Sequence, residues 1–371
     1  VPQPVRDALF ALAKSHLAEN GIVYLSYNAY PGCHVREQIW EGLRPLAAHI
    51  EDQDERYAKA ITYLQMLSEM SDDLFSPVVK GEAKRMLENT RELLLCDDLS
   101  LDNRPYSFRG FLAAAQGLQF LAEADYPDLA VNHLDSWSKE QLAALGVSGR
   151  LEVETVTDAM RGRRFRQTLL CHDHLTIFET PDADVLPNLY AECQVKTTAA
   201  NMEPGVPMTF TKAEGGRVTT DNPPIKRALT TMAESFPAPV AVRDLMRDDP
   251  APVADLLMKG YRSGLIDLIP HAANFVTQVS DKPALNRLAR AQLKLGLGHF
   301  TCLRNRSVQL PNDAARELLL LLDGTRTVEQ VEIELEASVR AMSDDEVGDL
   351  RRPGGVAAAI KELARFALFE A

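Results

Sequence analysis

The sequence predicts a mixed α+β chain. An incomplete α/β sheet carries a helical insertion, and two small modules of helices with a β-ribbon follow it. Three observations carry this prediction. A helical face runs directly into an apolar strand at the start, helical periodicity alone fills residues 34–98, and glycine-marked ribbons alternate with helices after about residue 180.

Pro4 suits a first helical turn, and Val5, Ala8, Leu9, Leu12, Ala13, His16 and Leu17 keep to one helical face. Gly21 is placed to stop that helix in the left-handed conformation that glycine adopts without steric cost. Ile22-Val23-Tyr24-Leu25-Ser26 is apolar on both faces, as in a strand buried inside a parallel sheet. Tyr27-Asn28-Ala29-Tyr30-Pro31-Gly32 follows at that strand's C-terminal end, where open α/β sheets bind ligands. A helix feeding such a strand is half of a βαβ unit, and the preceding strands are not in this sequence.

An insertion over about 33–100 is expected to be helical throughout. Ile39, Leu43, Leu46 and Ile50 form one stripe. Ile61, Leu64, Met66 and Leu67 form a second, and Met86, Leu93 and Leu94 a third. Glu51-Asp52-Gln53-Asp54-Glu55 and Ser71-Asp72-Asp73 are expected as solvated turns or helix starts. The α/β pattern resumes with the helical face Phe108, Phe111, Leu112 and Ala115, ended by Gly117, and the strand Leu118–Glu123. A polar linker over about 127–150 and a short helix come next. In the strand Phe165–Cys171, Phe165, Gln167, Leu169 and Cys171 alternate with Arg166, Thr168 and Leu170.

From about 180 the texture changes, with prolines at 181, 187, 204 and 207. Met208, Phe210 and Val218 flank Gly215-Gly216, a hairpin signal. Helices are expected at 223–235, 240–247 and 252–263, with Ile266 and Leu268 in a closing strand. Helices with a small ribbon at this scale point to a winged-helix-like domain. A second such unit has a strand around Val308-Gln309-Leu310, helices at 312–322, 327–340 and 356–369, and a turn at Asp323-Gly324-Thr325. Segment 343–355 is expected to be mobile. The expected domains are therefore 1–178, 179–285 and 286–371.

Composition narrows the function. With 46% hydrophobic and 25% charged residues, the 371-residue chain is neither disordered nor a fibre. Forty basic against 53 acidic residues give −13, and residues 305–371 alone hold eight basic against thirteen acidic. Such a surface argues against nucleic acid, whose affinity rests on phosphate contacts. Apolar runs such as Leu318–Leu322 fall far short of the ~20 residues a membrane span needs. No secretory signal is visible, and five scattered cysteines read as free thiols, so a cytoplasmic location is expected. The chain opens on Val1 without an initiator methionine, as a processed product or a piece of something longer would.

Motifs for chemistry are sparse. No G-x-G-x-x-G follows a strand, the single Gly-x-Gly, Gly296-Leu297-Gly298, sits at a helix end, and no phosphate loop is found. No cofactor site is expected in this chain. Cys171-His172-Asp173-His174 is the densest set of potential ligands, but strand alternation leaves two per face where a closed zinc site takes four. A strand end is the better reading, and no metal is expected. Arg161, Arg163, Arg164 and Arg166 form a candidate site for an anion or an acidic partner. Their alternative role is to cover apolar surface or pair with carboxylates of the insertion. Cys33 beside His34 does not by sequence adjacency make a nucleophile pair, and Gly-x-Ser-x-Gly is absent, so no catalytic residue is assigned.

Several of these segments share an order with a known family. Leu17–Ser26 with the Tyr27–Gly32 loop resembles a late strand of class I S-adenosylmethionine (SAM)-dependent methyltransferases. The Tyr-Asn-x-x-Pro-Gly loop is similar to that of methyltransferases carrying the predicted methyltransferase regulatory domain, among them bacterial protein-lysine methyltransferases. Phe108–Ala124 and Arg163–Cys171 resemble the same group, and Leu322–Thr327 is similar to the turn of its terminal winged helix and to small peptide-binding winged helices. Cys33 departs from the tryptophan that many relatives have there. The resemblance implies that 1–178 is the C-terminal part of a Rossmann-like methyltransferase sheet without its SAM-binding half. It also implies that Tyr27, Asn28, Pro31 and Gly32 form a substrate-side loop. SAM would then belong to the intact parent enzyme.

The expected role is thus a regulatory or substrate-docking region of a SAM-dependent methyltransferase, inactive alone, with a protein as methyl acceptor. Its expected partners are the N-terminal methyltransferase half or a protein substrate, with homodimerisation as an option. A protein-interaction scaffold is the alternative, and a transcription regulator the third reading.

Overall fold

The structure, a computed structural model, describes residues 1–71, 76–178, 182–197, 201–212 and 215–370, leaving aside the side chains at 344 and 345. The chain divides into two compact units, Val1–Thr180 and Pro181–Ala371.

The first unit opens with α1 (Gln3–His16) and β1 (Val23–Asn28). The helix ends at Leu17 on extended backbone. Gly21 is not left-handed, contrary to expectation. A Cβ there would meet the Leu17 side chain at 2.5 Å, so glycine serves close approach.

The insertion is helical as expected: α2 (Cys33–Ala47), α3 (Gln53–Glu69), α4 (Pro77–Leu87) and short α5 (Arg91–Leu93), which runs into a π-helical turn, Leu94–Asp98. Asp52 caps α3 by accepting from the Glu55 N–H at 2.8 Å. Asp72 and Asp73, in the second expected acidic turn, lie outside the described residues. Ile39, Leu43, Leu64, Met86 and Leu94 pack around Trp40. Leu46, Met66 and Leu93 stay exposed, so the apolar stripes are narrower than their spacing implied.

After the insertion come α6 (Phe108–Ala114), a turn at Gly117 with φ +83°, and β2 (Leu118–Glu123). Two 3₁₀ turns and α7 (Ser136–Ala144) occupy the expected linker, followed by α8 (Arg150–Arg161) and β3 (Phe165–His172). β3 lies between β1 and β2 and is antiparallel to both. This corrects the expected doubly buried parallel strand: β1 is a sheet edge, with Ile22 57% and Tyr24 53% exposed. Among the described residues, only Tyr106 bridges its outer side, at Ala29. Nothing in α1 is buried, and Val5, Leu9 and Leu12 are exposed beside this edge's own helix connection.

The second unit holds two cores. The first has the sheet β8-β4-β9 and the ribbon β5-β6-β7, built from β4 (Tyr190–Glu192), β5 (Val195–Thr197), β6 (Met208–Lys212), β7 (Arg217–Thr220), β8 (Val240–Ala241) and β9 (Asp267–Ile269). They pack with α9 (Pro223–Ser235), α10 (Val242–Leu245) and α11 (Pro250–Arg262) around Phe210, Leu229, Leu257 and Ile266. Pairing of Tyr190 with Ala241 converts the start of the expected helix 240–247 into strand. Pro181 lies outside the described residues.

The second core gathers Phe300, Leu318, Leu322, Val331, Leu335 and Phe369. Its elements are α12 (Arg287–Lys294), β10 (His299–Thr301), β11 (Ser307–Gln309), α13 (Asp313–Leu321), α14 (Val328–Ser338), α15 (Asp344–Val347) and α16 (Gly355–Ala364). Segment 343–355 contains α15 and a hydrogen-bonded 3₁₀ turn, with the Arg352 N–H on Asp349 O at 3.1 Å and the Gly355 N–H on Arg352 O at 2.8 Å. Arg304 and Arg306, in the β10–β11 turn, pair with Glu192 on β4 and Asp267 on β9. Among the described residues, no helix is long and apolar enough to cross a membrane.

Lys226 of α9 is fully buried, and its ammonium donates to the carbonyls of Asn201 (3.1 Å), Glu203 (2.8 Å) and Val206 (2.5 Å). Lys226→Met keeps the volume and strands three acceptors. Urea unfolding should show a loss of about 2–3 kcal/mol. A loss below about 0.5 kcal/mol would mean that solvent satisfies those carbonyls.

Candidate functional site

A cleft of about 260 Å³ opens at the C-terminal end of β1, lined among others by Arg6, Phe10, Tyr27, Asn28, Asp97 and Tyr106. Tyr27 and Asn28 are the last two residues of the strand. The Tyr27 ring stacks on Phe111 at 3.9 Å and 17° and meets Tyr106 edge-on at 6.1 Å. Its hydroxyl lies within hydrogen-bond reach of Thr168 Oγ1, at 3.5 Å. Burial pushes the phenol well above its ordinary range, against the opposing effect of the Thr168 hydrogen bond. Tyr27 thus forms an aromatic wall of the cleft with its hydroxyl turned to Thr168.

Asn28 is fixed by the insertion. Its Nδ2 donates to Asp97 Oδ2 at 3.1 Å and to Asn103 Oδ1 at 3.2 Å. Asn103 Nδ2 in turn donates to Asp97 Oδ1 at 2.6 Å and to Asp97 O at 3.0 Å. An ionised carboxylate only accepts, so both amide nitrogens must face it. Asn28 Oδ1 is left without a partner among the described residues. Asp97 reaches this position from the π-helical turn, in which the Leu99 N–H bonds to Leu94 O at 3.0 Å. Such turns often mark functional sites. Neither Asp97 nor Asn103 was singled out by sequence reasoning. They lie 69 and 75 residues from Asn28, and an acidic doublet after Leu93-Leu94-Leu95 was the only local hint.

Pro31 and Gly32 do not line the cleft. Tyr30-Pro31 is a cis peptide, and the Tyr30 hydroxyl donates to Glu37 Oε1 at 2.5 Å. Gly32 packs against the turn after α8: a Cβ would stand 2.1 Å from Gly162 O and 2.5 Å from Arg163 O. The Cys33 thiol is buried, donates to Arg164 O at 3.2 Å, and is pushed up to about 11, chiefly by burial. His34 stacks on Tyr30 at 4.4 Å and sits 3.7 Å from Glu37. The two neighbours do not form a nucleophile pair.

The four arginines of the cluster are each paired with carboxylates of the chain: Arg163 and Arg166 are buried, Arg164 is half-buried and Arg161 is exposed. Arg166 is fully buried: Nη1 meets Glu123 at 2.6 Å, Nε and Nη2 meet Asp158 at 2.9 and 2.8 Å, and Nη2 meets Glu154 at 2.9 Å. Its guanidinium covers the Phe108 ring at 3.9 Å. Arg163 pairs with Glu123 at 3.1 Å, Arg161 with Asp128 at 3.4 Å and Arg164 with Glu82 at 2.7 Å. Only Glu82 belongs to the insertion, so most of these partners lie elsewhere than the sequence suggested. Side-chain alternation on β3 turns Arg166, Thr168 and Leu170 inward and leaves Phe165 and Gln167 exposed. His172 and His174 stack at 5.2 Å. Among the described residues, no three His, Cys, Asp or Glu side chains are grouped to hold a metal.

Residues 90–172 match the family described as "Predicted methyltransferase regulatory domain", and residues 281–343 match "PKMT, C-terminal winged helix domain". The uncharacterized protein RP789 of Rickettsia prowazekii (strain Madrid E) is 27% identical over 257 residues, 66% of this chain and 46% of that protein. The chain thus spans under half the length of this curated relative. PKMT2 from Rickettsia typhi superposes on 100% of this chain and 78% of its own at TM-score 0.83 and 18% identity. The same protein in complex with AdoHcy does so at 0.84 and 19%. At these identities the likeness establishes the fold. The resemblance read from the sequence is borne out: Phe108–Ala124 falls in the first matched segment, as does Arg163–Cys171, and Leu322–Thr327 falls in the second. Tyr27–Gly32 lies in neither.

Two substitutions probe this architecture. Gly32→Ala drives a methyl group into two backbone oxygens and should cost about 2 kcal/mol or more in a thermal or urea melt; a neutral result would refute the close packing of the 162–164 turn. Arg166→Met takes the shared cation from three buried carboxylates, leaving Arg163 alone beside Glu123 and, among the described residues, none beside Glu154, and should cost about 3–5 kcal/mol, again read by denaturant unfolding.

Proposed function

We propose that this chain is the regulatory and substrate-docking region of a SAM-dependent methyltransferase that modifies a protein. Residues 1–178 supply the last strands of a Rossmann-like sheet, and SAM is held by a segment that completes the sheet. One observation carries this reading: β1 is an open edge whose C-terminal end delivers Tyr27 and Asn28 to a cleft. An unpaired edge strand is a template for another strand. The exposed Ile22, Tyr24, Leu9 and Leu12 supply apolar surface for what covers it. The two matched families and the fold shared with PKMT2 of Rickettsia typhi, a protein solved with AdoHcy, support it. In this arrangement Tyr27, Asn28 and their clamp Asp97 form the substrate side, with Asn28 Oδ1 turned to the acceptor.

The same edge favours a second reading, a scaffold that pairs with its own copy. Titration calorimetry and light scattering on this chain separate the readings. The first predicts a monomer with no SAM binding below about millimolar Kd. Micromolar binding by this chain alone would refute the division of labour proposed, and a stable dimer lost on Tyr24→Lys would favour the scaffold.

A further inference from the structure

The second core carries a groove of about 490 Å³ between α14 and the turn that leads into α16. That volume is of the size that seats a ligand or several side chains. Its floor is apolar and well packed: Leu335, Val339, Val347 and Val356 are each at most 4% exposed. At its rim Ile333 is 71% exposed. The turn that forms its far wall is closely packed behind Gly354, since a Cβ at Gly355 would stand 2.0 Å from Asp349 O.

The rim is charged in an uneven way. Arg351 Nη2 donates to the carbonyls of Val339 and Met342 at 3.1 and 3.0 Å, capping the end of α14. Arg352 pairs with Asp349 at 2.8 Å, and Glu334 pairs with Arg326 at 2.8 Å. Glu332 and Glu336 also line the groove, one helical turn apart, and neither has an ion-pair partner among the described residues. Arg352 is paired and Arg351 is turned onto backbone carbonyls, whereas the two carboxylates beside the exposed Ile333 have no ion-pair partner among the described residues.

We propose that this groove docks a basic amphipathic helical segment of a partner protein. An apolar side chain of that segment seats on Ile333 and the buried floor, and Lys or Arg residues one turn apart meet Glu332 and Glu336. Acidic segments are excluded by the same two carboxylates. The proposal concerns the second unit alone and stands whether or not the methyl-transfer reading holds, because it requires no cofactor.

Fluorescence anisotropy on the full chain tests it with a labelled leucine–lysine amphipathic helical peptide of about four turns and its twin in which every lysine is glutamate. The basic peptide should bind, more weakly in high salt, and the acidic one should not. Ile333→Asp, and separately Glu332→Lys with Glu336→Lys, should each weaken binding about tenfold, while Glu362→Lys, outside the groove, should change it less than about twofold. The four substituted positions are exposed or part-exposed, and an unchanged thermal melt confirms that each variant is folded. Equal binding of both peptides, or equal loss in the Glu362 variant, would overturn the proposal in favour of general attraction to an acidic protein. Self-association abolished by the groove variants would overturn it in favour of a second copy.

Discussion

The guanidinium of Arg166 has no exposure to solvent, and a charge so placed persists only with carboxylates fixed around it. Glu123 comes from β2 and Glu154 and Asp158 from α8, so one cation on the central strand locates both neighbours. The carboxylates are held in turn. Glu123 also accepts from Thr168 Oγ1 and the Gln167 N–H, both at 3.1 Å, and Glu154 accepts from the Ala130 N–H at 2.8 Å. Thr168 then reaches the Tyr27 hydroxyl. The cleft residue therefore rests on a polar core, and the inward face of β3 is the polar one.

The cleft is assembled from two scaffolds. The sheet provides Tyr27 and Asn28, the insertion provides Asp97 and the segment just after it Asn103, and these two orient the Asn28 amide. The same insertion is bound to the turn after α8 at a second place, through Glu82 and Arg164. Gly32, where the strand loop meets α2, is pressed against that turn as well. Helices that read as an interruption of the sheet thus frame the strand end on which the site is built.

Much of the fold was legible because its signals are local. Strand Leu118–Glu123 and the ribbon around Gly215-Gly216 follow from alternation and turn chemistry, and α1, α9 and α14 follow from periodicity with proline or polar caps. Pairing was not legible. Ile22–Ser26 is apolar enough for a buried strand, yet exposure depends on which strands lie beside it, and nothing in those five residues encodes that. The arginine cluster could be read in two ways for a related reason: a run of cations fits an anion site or internal ion pairs until its carboxylates, up to 82 residues away, are placed. Tyr27 and Asn28 were singled out by a strand-end loop and the resemblance it carries, and they line the cleft, but the clamp on Asn28 exists only in three dimensions.

The π-helical turn places two adjacent carboxylates on opposite duties. Asp97 enters the cleft, while Asp98 is fully buried, bonded to Trp40 Nε1 at 2.9 Å and to Arg36 at 3.0 Å. One backbone segment therefore belongs at once to the packed heart of the insertion and to the strand end. The orientation of the Asn28 amide and the packing of Trp40 thus rest on neighbouring residues of a single turn, so the insertion's core and the strand end share one anchor.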